Sequence, residues 1–254
     1  MESLQSRTVN GTNSQTYAEA DKHFRKRHFG PGLVIANGPS LKDVDNKFLR
    51  KYPSIGCNRI YLKEHFTPTY FVQFGRNQVS TIELASDYYR LMSEVEASFV
   101  NRFALEHFNM YENAYGISTI PLSVWDGPDT NPEDKQRVGG AFSFDPLDGM
   151  GIGGSVIYQS LQLAFWMGFD PVLIVGLDHH YPKHLDVPWH FYENTPEVTD
   201  LSGPLGGRGG WLKRANTAFE NARMVYGDAD RELLNLTPNT RCDIFQKEDI
   251  ELWA

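Results

Sequence analysis

The sequence has very few cysteines and no long apolar run. Only two of its 254 residues are cysteine, Cys57 and Cys242, which is too few for the disulfide framework of a small secreted domain. No apolar segment approaches the roughly 18 residues that a membrane-spanning helix requires, and residues 1–20 are too polar for a signal peptide. We therefore expect a soluble, cytoplasmic protein with no membrane span.

Basic residues are also scarce. The chain has 24 Lys and Arg residues against 32 Asp and Glu residues, which gives a formal net charge of −8 at pH 7. Its one basic cluster, residues 22–28, is short. Surfaces that bind nucleic acid usually carry a stripe of Lys and Arg, so we expect no nucleic-acid partner.

The chain does contain enough apolar material for a large core, since 41% of its residues are hydrophobic. Residues 1–20, rich in Ser, Thr, Asn and Gln, are predicted to be a disordered tail. Residues 21–254 are predicted to form a single nucleotide-binding catalytic domain, which could assemble into a homo-oligomer. Two loop-rich segments, 123–152 and 178–210, are long enough to be lids over a site.

Short apolar segments alternate with helical patterns along the chain. Alternation of this kind predicts an α/β fold, Rossmann-like, with a mostly parallel sheet and helices on both faces. The predicted strands are 33–36, 54–57, 70–74, 99–103, 116–122, 172–175 and 233–236. The predicted helices are 40–49, 81–96, 153–168 and 211–226.

In such a fold, ligands bind at the carboxyl ends of the strands. Several polar residues stand where a predicted strand ends or a helix begins: Asn37, Asn58, Gln73, Ser155, Asp178 and Asn235. Asn37, Gly38, Pro39 and Ser40 form a small polar turn between a strand and a helix, where free backbone amides attract a phosphate. The alternative is that Asn37 and Ser40 only cap the helix, and that Asn58 only forms a turn.

A second turn of this kind is Gly153-Gly154-Ser155, which precedes a helix. Its unhindered amides and hydroxyl predict an anion site, and the alternative is a flexible entry into a packed helix.

Histidines are concentrated near the end of the strand at 172–175. The titratable cluster there is Asp178, His179, His180, Tyr181, His184 and His190. A zinc site, a general base and exposed loop histidines are all possible, but the spacing matches no zinc signature. We favour His190 as the base, because Trp189 and Phe191 could dock it over a site.

Two further acidic residues, Asp145 and Asp148, could bind Mg²⁺ or simply form a turn.

Several segments together resemble a known family. They are Asn37-Gly38-Pro39-Ser40-Leu41, Cys57-Asn58-Arg59, Gly154-Ser155-Val156, the helix and strand from Leu161 to Asp178, and Asn235-Leu236-Thr237-Pro238-Asn239. Their order resembles the bacterial proteins related to archaeal 6-hydroxymethylpterin diphosphokinase (domain of unknown function 115). It is also similar to the small bacterial sialyltransferases that use CMP-activated sugars.

The resemblance to the sialyltransferases implies a nucleotide held by Asn37, Asn58 and Ser155. Gly154 and Asn235, which lie in segments that carry the resemblance, are further candidates for binding the nucleotide. It implies a histidine base in the loop after the Gly-x-Asp strand, with tyrosines on the phosphate. His190, Tyr181 and Tyr192 match these roles, with His180 as the alternative base and Asp178 beside it. No cofactor is then essential, and the nucleotide-sugar is the donor substrate.

The resemblance to the diphosphokinase implies acidic Mg²⁺ ligands after an early strand, but residues 71–77 contain no carboxylate. Under this alternative Asp145, Asp148 and Asp178 would bind Mg²⁺, and ATP would pyrophosphorylate a pterin-like alcohol. We therefore predict a transferase of surface glycan synthesis, acting from a CMP-sugar on a glycan or alcohol acceptor. A non-catalytic nucleotide-binding protein of the same fold is the third possibility.

Overall fold

The computed structural model describes residues 17–74, 86–101, 112–117, 119–120, 142–180, 188–193 and 207–254. The strands are β1 Gly30–Ile35, β2 Ser54–Cys57, β3 Tyr70–Gln73, β4 Ala97–Asn101, β5 Ala114–Ile117, β6 Thr119–Ile120, β7 Met150–Gly151, β8 Phe169–Val175, β9 Leu233–Asn235 and β10 Gln246–Lys247. The α-helices are α1 Tyr17–Phe24, α2 Asn46–Leu49, α3 Ser86–Glu94, α4 Val156–Met167 and α5 Gly207–Asp228. Short 3₁₀ helices span Pro39–Asp43, Ile60–Leu62 and Ile250–Leu252.

Eight of the strands form one sheet in the order β10-β9-β8-β1-β2-β3-β4-β5, and every pairing in it is parallel. The chain runs outward from β1 to β5 on one side and from β8 to β10 on the other. The strand order therefore reverses between β1 and β8, and a crevice opens at the carboxyl ends of strands at such a reversal. The predicted fold class is confirmed.

Helices cover both faces of the sheet because β1 and β8 are apolar on both sides. Val34 packs into one core cluster with α1, α4 and α5, whereas its neighbours Leu33 and Ile35 pack into a second cluster with α2 and α3. Successive side chains of a strand point to opposite faces, so this alternation places one core on each side of β1. Such burial on both faces is typical of parallel sheets.

Helix α4 begins and ends as its sequence predicts. The Ser155 hydroxyl accepts a hydrogen bond from the Ile157 amide at 3.3 Å, and Gly168 adopts φ +91° at the end of the helix. These are a helix N-cap and a left-handed C-terminal residue.

Two predicted boundaries need correction. The tail predicted for residues 1–20 ends earlier, because residues 17–20 belong to α1 and Ala20 is fully buried; residues 1–16 lie outside the described residues. The helix predicted over 40–49 is a 3₁₀ turn followed by α2, because the Asp45 carboxylate accepts a bond from the Lys47 amide and starts a new helix.

Among the described residues, no helix is long and apolar enough to cross a membrane. Both cysteines are buried as free thiols. Most of the two predicted lids, namely 123–141, 181–187 and 194–206, lies outside the described residues.

Candidate functional site

Polar residues follow the central strands in the order of the sheet. Asn235 ends β9, Asp178 follows β8, Asn37 follows β1, Asn58 follows β2 and Gln73 ends β3. The parallel register brings them to one edge of the sheet, with Asn37 and Asp178 on the two sides of the crevice. The expectation that these residues share the carboxyl edge is met by their placement.

The turn at Asn37-Gly38-Pro39-Ser40 does not offer its amides to a phosphate as predicted. The Gly38 amide donates to the Gly176 carbonyl at 2.8 Å. The Ser40 amide and hydroxyl donate to the Asp178 carboxylate, the hydroxyl at 2.8 Å, and Pro39 has no N–H. The amides of Gly38 and Ser40 are therefore hydrogen-bonded within the protein, and the roles of the turn residues as nucleotide ligands stay predictions.

Asp178 fixes this turn. A Cβ added at Gly38 would lie 2.0 Å from the Asp178 Oδ2, so only glycine leaves room for the carboxylate. A carboxylate held by a hydroxyl and an amide acts here as a clamp between the ends of β1 and β8. Asp178 thus holds the turn that follows Asn37, and its catalytic role stays a prediction.

Asn37 has one buried side-chain atom without a hydrogen-bond partner among the described residues. Its Nδ2 donates to the Cys57 carbonyl oxygen at 3.0 Å. This bond fixes the orientation of the side-chain amide, because a flipped amide would place Oδ1 against the carbonyl oxygen and the two oxygens would repel each other. Its side chain is buried, and among the described residues Oδ1 has no hydrogen-bond partner. A buried acceptor without a partner is costly, so Oδ1 is suited to accept a hydrogen bond from a hydroxyl or amino group of a ligand.

Residues 188–193 dock onto this point. The Phe191 amide donates to the Asn37 carbonyl at 3.0 Å, which places His190 and Tyr192 beside the end of β1. The two rings stack with centroids 4.8 Å apart and an interplanar angle of 6°. The structure thus brings together the predicted residues Asn37, His190 and Tyr192.

Arg59 completes this group, and sequence reasoning missed it. It directly follows Asn58, and its guanidinium lies 6.0 Å from the centroid of the Tyr192 ring. The signal in the sequence was its position just after the end of a predicted strand. It was passed over because only amide, hydroxyl and histidine side chains were considered as ligands.

The environment keeps His190 neutral. Burial, together with the positive charge of Arg59, lowers the pKa of His190 from 6.5 to about 4. Burial also raises the pKa of Tyr192, which keeps its hydroxyl protonated at neutral pH. Among the described residues the His190 Nδ1 is buried without a hydrogen-bond partner. A neutral imidazole beside a protonated phenol can accept a proton and donate a hydrogen bond, respectively.

The lowered pKa of His190 predicts a loss of stability in acid. Because the folded pKa lies below the unfolded one, His190 contributes full stability above about pH 6.5 and loses it as the pH falls toward 4. The slope of Tm against pH between 6.5 and 4 should be shallower for His190→Gln than for the unsubstituted protein in thermal unfolding. If the curves of Tm against pH run parallel for His190→Gln and the unsubstituted protein, the burial of His190 is contradicted. His180→Gln, from the same predicted lid 178–210, is the control.

The other predicted ligand residues have local structural roles. Asn58 adopts φ +51°, and its amide donates to the Val72 carbonyl at 3.2 Å. Ser155 caps α4 after Gly153 and Gly154, both with positive φ. Asn235 is fully buried, and its side chain bonds the Thr237 amide and the Thr240 hydroxyl. Their roles as ligands stay predictions.

The remaining histidines differ in their surroundings. His179 contacts the Asn216 side chain at 2.7 Å through Nε2, and burial lowers its pKa. His180 is half-buried at the end of the same segment. Tyr181 and His184 lie outside the described residues, so their predicted roles are not tested.

The acidic residues of the diphosphokinase alternative do not meet. Asp145 pairs with Arg25, and the next residue, Lys26, donates from its amide to the Trp166 carbonyl near the end of α4. The C-terminal end of α4, and Asp145 with it, lies beside the start of β8, whereas Asp178 follows the end of β8. The two ends of a strand of this length are about 20 Å apart, so Asp145 and Asp178 are far from each other. Within the described part of the chain, no three His, Cys, Asp or Glu residues are grouped to hold a metal ion.

Comparisons with known proteins give a likeness of fold. No protein-family model and no curated protein matches the chain, so the resemblance to the diphosphokinase-like family stays a prediction. Two crystal structures of variants of the sialyltransferase CST-II with CMP are 14% identical, cover 88% of each chain, and have TM-scores of 0.53 and 0.51.

A third structure, of the monofunctional α-2,3-sialyltransferase Cst-I from Campylobacter jejuni, is 13% identical and has a TM-score of 0.51. It covers 85% of this chain and 79% of that one. At these identities the likeness concerns the fold alone: the chain has the α/β architecture seen in these sialyltransferases.

Proposed function

We propose that the protein is a glycosyltransferase that moves a sugar from a CMP-activated donor to a hydroxyl group of a glycan acceptor. The observation that carries the proposal is the docking of residues 188–193 onto the end of β1 through the bond from Phe191 to Asn37. This contact holds a neutral histidine and a tyrosine hydroxyl beside an amide oxygen that has no partner among the described residues, and the carboxyl edge of a parallel sheet is where ligands bind in such folds.

The chemistry assigned to these groups is one substitution at the anomeric carbon of the donor sugar. His190 takes the proton of the acceptor hydroxyl, whose oxygen forms the new bond to the anomeric carbon. The bond from that carbon to the phosphate oxygen breaks, its electron pair goes to the phosphate, and CMP leaves. The Tyr192 hydroxyl donates a hydrogen bond to the departing phosphate, and His190 then returns its proton to solvent.

A thermal-shift panel of CMP, CDP, UDP, GDP and ATP, each with Mg²⁺ or with EDTA, tests the donor. A ligand at about 100 times its Kd adds roughly 2.7 kcal/mol to the free energy of unfolding, so we expect CMP to raise Tm by several degrees in either condition. Stabilisation by ATP only with Mg²⁺ would favour the diphosphokinase. No response to any nucleotide would contradict both enzymes.

Asn37→Ala should reduce the shift caused by CMP, because the variant loses the acceptor Oδ1. Asn46→Ala is a matched control, since the Asn46 Nδ2 also donates to a backbone carbonyl and its Oδ1 is also buried without a partner among the described residues. An equal CMP shift in both variants would assign Asn37 to the fold alone. Binding of CMP without turnover of any CMP-sugar would favour the non-catalytic alternative.

A further inference from the structure

A cavity lies at the opposite edge of the sheet from the candidate functional site. It has a volume of about 280 Å³, and its lining includes Ser54, which begins β2, and Thr69, which directly precedes β3. Since β2 and β3 are parallel, both begin at this edge and end at the edge that holds Asn37. The length of the strands separates the two places, so the cavity is a candidate for a second binding site.

Two hydroxyl groups in the lining are held in fixed positions. The Ser54 amide donates to the Thr69 hydroxyl at 3.0 Å, and the Thr69 amide donates to the Ser54 hydroxyl at 3.1 Å. Ser54 is only 2% exposed. A hydroxyl that accepts a bond still has a proton to donate, and neither of these protons has an acceptor among the described residues. The cavity therefore offers two hydroxyl donors to a ligand.

The lining also contains charged groups with unused hydrogen-bonding atoms. Arg50, which follows α2, donates through Nη2 to the His65 carbonyl, and its other N–H groups have no acceptor among the described residues. Glu94 ends α3, and its Oε2 accepts from the Thr67 hydroxyl and lies 4.0 Å from Arg90. Its Oε1 accepts no bond from the described part of the chain. Donors and an acceptor thus remain for a ligand.

The charges of the lining favour a neutral ligand with an apolar face. Glu96, the second acidic residue of the lining, is paired with Arg27, which leaves one charge of each sign, on Arg50 and Glu94. A ligand with a net charge would be attracted by one of these groups and repelled by the other. The Tyr52 ring also lines the cavity, and its hydroxyl donates to the Trp253 carbonyl at 3.0 Å, which fixes the ring.

We propose that this cavity binds a neutral sugar residue of a glycan. Each hydroxyl of a sugar both donates and accepts hydrogen bonds, which matches a lining that combines a carboxylate oxygen with N–H and O–H donors. The C–H face of the sugar ring packs against Tyr52, in the way that apolar and aromatic surfaces contribute to ligand sites. The volume is near the roughly 300 Å³ of the smallest ligand pockets. The inference goes beyond the proposed function, because the lining carries it whether or not the crevice transfers a sugar.

Titration of the isotope-labelled full chain with glucose, galactose, mannose and N-acetylglucosamine, followed by NMR, tests this inference. We expect at least one sugar to shift the amide signals of Ser54 and Thr69 with a Kd in the millimolar range, as for a small ligand in an open cavity. Arg50→Gln and Glu94→Gln, at exposed positions, should each weaken binding roughly 10-fold, because a charge-assisted hydrogen bond is lost. Glu220→Gln, which changes an exposed carboxylate on α5, is the control and should bind as the unsubstituted protein does.

Failure of every sugar to shift these signals would overturn the inference, and so would binding that neither variant weakens. A response to alanine, a zwitterion, without a response to any sugar would assign the cavity to another class of ligand and would also overturn it. Titration of the same sample with CMP separates the inference from the proposed function. Sugar binding at Ser54 and Thr69 without a response to CMP supports the inference and contradicts the proposed function, and a response to CMP alone, at Asn37 and His190, does the reverse.

Discussion

The His190→Ala variant is expected to release CMP from a CMP-sugar about 10²–10⁴ times more slowly than the unsubstituted protein, the range lost when a general base is removed. The affinity for CMP should change little, because the contacts proposed for the nucleotide come from Asn37 and Tyr192. The measurement is CMP release from CMP-N-acetylneuraminic acid, with titration of CMP into the same preparation. Loss of rate without loss of binding is the expected result.

His180→Ala is the matched control, a histidine of the same loop region that lies outside the stacked pair. Its rate should stay near that of the unsubstituted protein. If His180→Ala loses turnover and His190→Ala keeps it, the base is His180. If both variants keep full turnover, neither histidine is the base, and the mechanism fails.

The pH dependence of kcat/KM is a second test of His190 as the base. The pKa of His190 is lowered to about 4 in the free protein, and kcat/KM reports groups of the free enzyme. The base must be neutral, so kcat/KM should fall as the pH drops through that value. Arg59→Gln removes the neighbouring charge and should move this limb to higher pH.

The central strands and α4 could be predicted because their sequences carry local signals. The apolar runs that end at Ile35, Cys57 and Val175 are buried on both faces, and Ser155 and Gly168 mark the ends of α4. Helix α1 could not be predicted as easily: it follows a polar segment, and its partners Tyr70, Phe99 and Trp166 are distant in the chain. Burial of Phe24 against them is a tertiary effect.

The sequence predicted which edge of the sheet holds the candidate site, but it did not predict the hydrogen-bond partners of the polar atoms at that edge. The amides of the first turn were expected to be free, and they are consumed by Gly176 and Asp178, roughly 138 residues away in the chain. Local patterns do not report such contacts. His190 was singled out by its aromatic neighbours, and the structure adds what sequence could not, namely the stacking on Tyr192 and the charge of Arg59.

The crevice itself depends on Gly176, where β8 ends against β1. Gly176 adopts φ +72°, and a Cβ added there would lie 2.4 Å from the Ala36 carbonyl oxygen. Gly176→Ala therefore combines backbone strain of about 1–2 kcal/mol with about 1–3 kcal/mol of overpacking. For a chain of this length the sum should lower Tm by roughly 5–15 °C.

The same substitution should weaken binding of CMP, because it disturbs the two bonds that hold the strand ends together. The Ala36 amide donates to the Val175 carbonyl at 2.8 Å, and the Gly38 amide donates to the Gly176 carbonyl at the same distance; Asn37 lies between these donors. Gly227→Ala is the control, since its Cβ would meet nothing within 4 Å in the last turn of α5, and alanine there should be neutral or stabilising. Equal Tm values for the two variants would show that the ends of β1 and β8 can move apart at Gly176 without a loss of stability. The proposed dependence of the site on this contact between β1 and β8 would then be wrong.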